Sequence, residues 1–368
     1  MQIQETSKQD TLIFKAIGIL LIVFHNYFHW VAPNIEENEF FFSSDVIKSL
    51  FAGIMNTPSE MINLFFDCFG YYGVQVFIFI SGVGLAVSMI KKPINYCPFM
   101  LQRLKKIYAM LIVAIVFFYI SLIVLDGFFL TYDHWKSILW KFLLINTLLP
   151  DQALSINGPW WFFGLIFQLY LLFPLLFKII KKYNLKGLIA ICLFSFLCTY
   201  IVLFLICVPE GFVWMANSIA HLPEFAFGLF IAMNREKKIS VWVFISAFIV
   251  FALGNTSKLF FPLTFLSITI LLYFLISKML IFIKKSNWLT KVLLNVGTLS
   301  MAIFITHAVF RTRFISNFSE NWHDKIVGAL LFFITIYAIS IVANIFYKWV
   351  YNLFGRISKV FKTTKSEI

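Results

Sequence analysis

The sequence predicts an all-α protein, a polytopic bundle of membrane-spanning helices. Three observations carry that prediction. Hydrophobic residues make up 61% of the 368 and charged residues only 13%, where a soluble domain is about a quarter charged. Phenylalanine occurs 47 times, a load that suits lipid-facing helices and would promote aggregation on a soluble surface. The apolar residues also gather in runs close to the roughly 20 residues that cross a bilayer.

In chain order these runs lie at 11–32, 69–90, 104–125, 160–181, 187–207, 214–233, 240–254, 259–282, 297–315 and 326–352. The first continues through Trp30 without a small-residue cleavage site, so it reads as a retained helix rather than a signal peptide. Segment 135–149 is shorter and carries Lys136 and Lys141. If it stays out of the bilayer and the N-terminus is cytoplasmic, 21 lysines and arginines fall on the inside and 7 on the outside. That is the positive-inside pattern. If it crosses, every loop from 178 to 291 changes sides and the bias largely vanishes. The expectation is therefore about ten spanning helices with both termini cytoplasmic. Segment 135–149 becomes one short non-spanning piece on the outer face.

The same clustering explains the net charge of +13 without a nucleic-acid partner; the expected partner is the lipid bilayer. Most acidic residues fall outside, with Glu36, Glu37, Glu39, Asp45, Glu60 and Asp67 in a long first outer loop. The five cysteines form no CxxC pair and mostly sit in apolar runs, as small buried hydrophobes do. No repeat of 20–50 residues and no inverted-repeat pattern is visible, so residues 1–368 read as a single integral-membrane domain.

Ionisable side chains within spanning segments cost about 2.5–3.5 kcal/mol on insertion scales and mark candidate functional positions. They are Lys15, His25, His29, His221, Glu224, His307, Arg311 and Arg313. His25, the His221/Glu224 pair and His307 with Arg311 lie on three helices, in the central to outer part of the bilayer, enough to line one polar cavity. The ordinary alternative is that each histidine only bonds a neighbouring helix. His25 and His29 have the i, i+4 spacing of a metal pair, yet no third ligand is visible, so no metal is expected. His29 reads as an interfacial residue beside Trp30. A lone imidazole, whose ordinary pKa is near neutrality, suits His25 to general-base work.

Two further stretches have double readings. Gln102-Arg103-Leu104-Lys105-Lys106-Ile107-Tyr108 is either a plain positive-inside cluster or a clamp for the phosphates of an anionic cofactor. Gly158-Pro159-Trp160-Trp161 is either an interfacial belt or a surface for stacking a sugar ring. Gln168 and Tyr170 lie deeper on that helix, before Pro174, which should kink it.

Five blocks in this order resemble the membrane-bound acyltransferase type 3 family, polytopic enzymes that O-acylate extracytoplasmic glycans. They are Asp10 with Lys15 to His25, Val76 to Gly82 around Ser81, Arg103 to Tyr108, Gly158 to Pro174, and Ser300 to His307. The resemblance implies transfer of an acyl group, most simply acetyl, from cytoplasmic acetyl-CoA to a hydroxyl of a polysaccharide or glycolipid. The setting would be the inner (plasma) membrane of a bacterium. It implies catalysis by His25, with Glu224, His307 and Arg311 in support. Lys15, Arg103, Lys105 and Lys106 would hold the donor, and Trp160, Trp161, Gln168 and Tyr170 are acceptor-binding candidates. The chain departs from the family's pattern at Lys15, where many members have arginine, and at Ala109, where proline is usual. It departs again at Ile166 and Phe167, where many carry a glutamate, whose role is then absent or falls to Glu224. The rival reading is a proton-coupled secondary transporter or glycan flippase that uses the same histidines as a relay.

Overall fold

The computed structural model describes residues 7–92, 95–127, 129–234, 239–318 and 321–364. Arg235, Lys237, Lys238 and Lys365 lie outside the described residues, as do the side chains of Arg313, Lys359 and Lys362. Helix accounts for 81% of the structure and no strand occurs among the described residues. The helices are α1 (Lys8–Phe28), α2 (Asp45–Asn56), α3 (Met61–Phe69), α4 (Gly73–Lys91), α5 (Tyr96–Asp126), α6 (Tyr132–Phe142) and α7 (Trp161–Tyr183). There follow α8 (Leu185–Phe204), α9 (Leu222–Met233), α10 (Val241–Thr256), α11 (Thr264–Ile283), α12 (Asn287–Asn317) and α13 (Trp322–Thr364).

Among the described residues, eight helical segments are long and apolar enough to cross a membrane. Two of the ten expected spans, 214–233 and 240–254, appear as the shorter apolar helices α9 and α10, of 12 and 16 residues. Segment 135–149 forms the 11-residue α6 and a 3-10 turn at Asn146–Leu148. At 1.5 Å per residue α6 is only about 17 Å long, short of a bilayer. The first outer loop is more ordered than its sequence suggests. It folds into α2 and α3, and α3 leads through a 3-10 turn at Gly70–Tyr72 into α4, so the second apolar segment begins at Pro58 rather than 69.

Helix α1 is the centre of the bundle, packed along α12 and α4 and capped by α3. Its start is fixed by a capping box. Ser7 Oγ accepts from the Asp10 amide, and Asp10 Oδ2 accepts from the Ser7 amide, both at 3.0 Å. The other Asp10 oxygen pairs with Lys284 Nζ at 2.7 Å, tying α1 to the end of α11. Gly297 of α12 lies directly on the Leu12 carbonyl of α1, where a Cβ would overlap backbone. Close approach at such small residues is how membrane helices gain packing without a hydrophobic driving force between them.

Candidate active site

His25 lies one turn from the end of α1 and is 5% exposed. Helix α3 crosses its edge. The last carbonyls of a helix lack intrahelical partners. Two near the end of α3, Asp67 O at 3.0 Å and Phe66 O at 3.1 Å, face His25 Nδ1. With acceptors on that side, Nδ1 carries a proton and Nε2 is left to face inward. Gly70 makes this approach possible, because a Cβ there would collide with His25 Cβ.

Nε2 meets Glu37 Oε2 at 2.8 Å. The segment between α1 and α2 that carries Glu37 is held down by Asp67. Its Oδ2 accepts from the Ile35 amide at 2.6 Å, and its Oδ1 bonds His29 Nδ1 at 2.7 Å. Burial pushes the Glu37 carboxyl up, but the facing His25 imidazole, then His29 and Arg311, outweigh burial and hold it below the usual range. For Glu39, burial and the neighbouring Glu37 charge both raise the pKa well above that range, with His25 opposing.

These groups line a cavity of about 210 Å³. Its polar wall is His25, Asn26, His29, Glu37, Glu39 and Arg311, and its aromatic wall includes Trp30, Tyr71, Trp161 and Phe162. Arg311 Nη1 donates to Asn26 Oδ1 at 3.2 Å, and its guanidinium lies 4.5 Å from the Trp30 ring centre.

A second polar cluster lies further down α1. Lys15 senses the charges of Lys106 and Arg103 on α5. The Arg103 guanidinium lies against the rings of Phe99 and Tyr170, 5.2 and 5.4 Å from their centres. Lys15, Arg103 and Lys106 thus converge, whereas Lys105 lines a different cavity with Tyr351 and Arg356. Ten residues at 1.5 Å each put Lys15 about 15 Å from His25 along the helix.

A family model described as an acyltransferase domain matches residues 13–347. The chain belongs to the acyltransferase type 3 family. No curated protein and no solved structure matches it. It is therefore a membrane acyltransferase in general kind, and both polar clusters lie within the matched stretch.

Several sequence expectations about this acyltransferase change in the structure. Glu224 is not the carboxylate on His25; that position is taken by Glu37. Glu224 lies buried near His221, its Oε2 3.9 Å from Nδ1, and His221 bonds the Met215 carbonyl and stacks on Trp161. His29, read as a bystander, is bonded into the Asp67 and Glu37 group. Tyr170, an acceptor-binding candidate, is beside Arg103 in the basic cluster. Gln168 is a structural staple, donating to Thr147 Oγ1 at 2.8 Å and accepting from the Ser218 amide at 3.0 Å. Trp160 is fully buried against Phe118, so of the tryptophan pair it is Trp161 that faces the cavity. His307 is buried, with Nδ1 donating to the Phe304 carbonyl at 2.7 Å. Its Nε2 has no hydrogen-bond partner among the described residues.

Glu37 and Asp67 are the site residues that sequence reasoning missed. Their signal was present but weak, as acids in an outer segment that looked solvated. Nothing in local spacing pairs residue 67 with residue 29, or residue 37 with residue 25.

Proposed function

We propose that this protein transfers an acetyl group from acetyl-CoA to a hydroxyl of an extracytoplasmic glycan, at the inner membrane of a bacterium. The observation that carries the reading is the build of α1. It has a cluster of three cations near one end and a buried, oriented imidazole facing a small polar cavity near the other. Lys15, Arg103 and Lys106 supply charge for the phosphates of a donor entering from the cytoplasm, and Tyr170 fixes the Arg103 guanidinium. A pantetheine arm laid along α1 spans the distance to His25.

Within the cavity, Trp161, Trp30 and Tyr71 offer ring faces and edges for a sugar, and its volume suits one ring better than a longer chain. The acceptor O–H is placed against His25 Nε2. As its oxygen attacks the thioester carbonyl, the proton passes to Nε2, with Glu37 stabilising the imidazolium that forms. Collapse of the tetrahedral intermediate breaks the carbon–sulfur bond and releases coenzyme A, whose thiolate takes up a proton. Arg311, held by Asn26 and Trp30, is the cation placed to stabilise the developing oxyanion.

The test is label transfer from radioactive acetyl-CoA to envelope glycan by purified protein in nanodiscs. Transfer is expected from the wild type and lost in Arg103→Ala with Lys106→Ala at low donor concentration. A transporter or flippase has no need of a coenzyme site, so absence of label from an active wild type, with the double variant unimpaired in function, contradicts the reading.

A further inference from the structure

Two histidines four residues apart, His25 in α1 and His29 capping its end, are only half of a metal site. The structure adds the third donor. Glu37 Oε2 lies 2.8 Å from His25 Nε2 and 3.7 Å from His29 Nδ1, and one donor atom from each of the three falls within 4.8 Å of the others. We propose that His25, His29 and Glu37 form a binding site for a divalent cation of the zinc class, open to the reaction cavity.

The donor chemistry selects that class. Two imidazole nitrogens and one carboxylate, with a fourth position facing the cavity, are the donor set of an open zinc site. Magnesium and calcium favour all-oxygen shells. The two donor pairs that involve Glu37 need little adjustment. An ion about 2.0–2.2 Å from each donor keeps tetrahedral donors about 3.4 Å apart, so the 3.7 Å pair already fits. The 2.8 Å pair must open by about half an ångström. Glu37 is the part that can give, because its segment is anchored at Ile35 rather than at Glu37 itself, while the His25 ring is held by α3.

The surroundings also favour a cation. His25 Nδ1 is bound by the Phe66 and Asp67 carbonyls, which aims the opposite nitrogen at Glu37, and a bound ion would take the place of the proton between them. Such outer bonds to a ligating imidazole raise its basicity and fix its orientation. Asp67 Oδ1 lies 2.7 Å from the same His29 Nδ1; an ion would replace the proton of that contact, with the carboxylate placed to complete the set. Around the site Glu37 and Glu39 line the cavity beside the two histidines, and the Asp67 carboxylate lies against His29. A bound ion takes the Nε2 lone pair that acyl transfer uses, so it inhibits. That consequence rests on the role given to His25 above; binding of the ion does not.

The experiment uses the full chain without a histidine tag, in nanodiscs, stripped with chelator, equilibrated with Zn2+ and passed through gel filtration before elemental mass spectrometry. One retained equivalent is expected. His29→Ala and Glu37→Gln should each weaken retention roughly tenfold or more, with unchanged elution showing an intact fold. Co2+ added to the wild type should give the intense visible bands of a four-coordinate ion, a readout that needs no variant. Retention unchanged in both variants, or a wild-type cobalt spectrum no different from the aqueous ion, overturns the proposal. Binding without inhibition leaves the site standing and counts against His25 as the base.

Discussion

His25 Nε2 and Glu37 Oε2 face each other at 2.8 Å, while the opposite ring nitrogen is committed to two backbone carbonyls. The acid that completes the histidine comes from a connecting segment 12 positions away in sequence rather than from a helix of the bundle. Glu37→Gln should therefore lower acyl transfer by about 100-fold while the protein inserts normally. Combined with His25→Ala it should cost no more than His25→Ala alone, because groups that act as one unit are not additive. Steady-state rates of coenzyme release for the four proteins of that cycle check this.

Asp67 is the hinge on which that geometry hangs. Its two oxygens hold the Ile35 amide and His29, so Asp67→Ala leaves buried partners unsatisfied, worth about 1–3 kcal/mol. Both the melting temperature and the transfer rate should fall. Asp67→Asn keeps one acceptor oxygen and should lie between the two.

The basic cluster makes a prediction that separates neighbouring lysines. Arg103→Ala and Lys106→Ala should each raise the KM for the acyl donor about tenfold, the usual worth of a charge-assisted contact. Lys105→Ala should leave it unchanged, since Lys105 faces a different cavity. Donor titrations at fixed acceptor distinguish the three.

Lys141 of α6 is 1% exposed, its only hydrogen bond among the described residues is a long one to the Ala153 carbonyl at 3.4 Å, and burial pushes its pKa down to about 7. Below pH 7 both folded and unfolded chains carry the charge, and the fold bears the full cost of burying it. Between pH 7 and the ordinary lysine value of 10.5 the unfolded chain binds the extra proton, so rising pH favours the fold. Lys141→Met should thus stabilise the protein most below pH 7, by on the order of 4 kcal/mol, with the gain shrinking toward pH 10. Thermal unfolding in detergent across that range measures it.

The legible part of this protein was its helices and one end of its chemistry. Length and composition place α1, α5, α7 and α11, and the segment that the lysine balance sets apart from the spans forms the short α6. Lys15 and His25 stand out because charge inside an apolar run is rare. What the sequence conceals is partnership. Glu37 and Asp67 resemble solvated loop acids until α3 folds over α1, and α3 itself blends into the apolar run of α4. Tyr170 shares its helix with Trp161, yet one side chain meets Arg103 and the other the cavity. Spacing reports the face a residue occupies; the helix opposite decides what it touches.

The central claim is that His25 carries acyl transfer to an envelope glycan. It is tested most directly by mass spectrometry of envelope glycans from cells lacking this protein, complemented with wild type or His25→Ala at matched membrane levels. The account predicts that glycans lose the mass of one acetyl group on deletion, regain it with the wild type, and do not regain it with His25→Ala. Full restoration by the His25→Ala protein would contradict it.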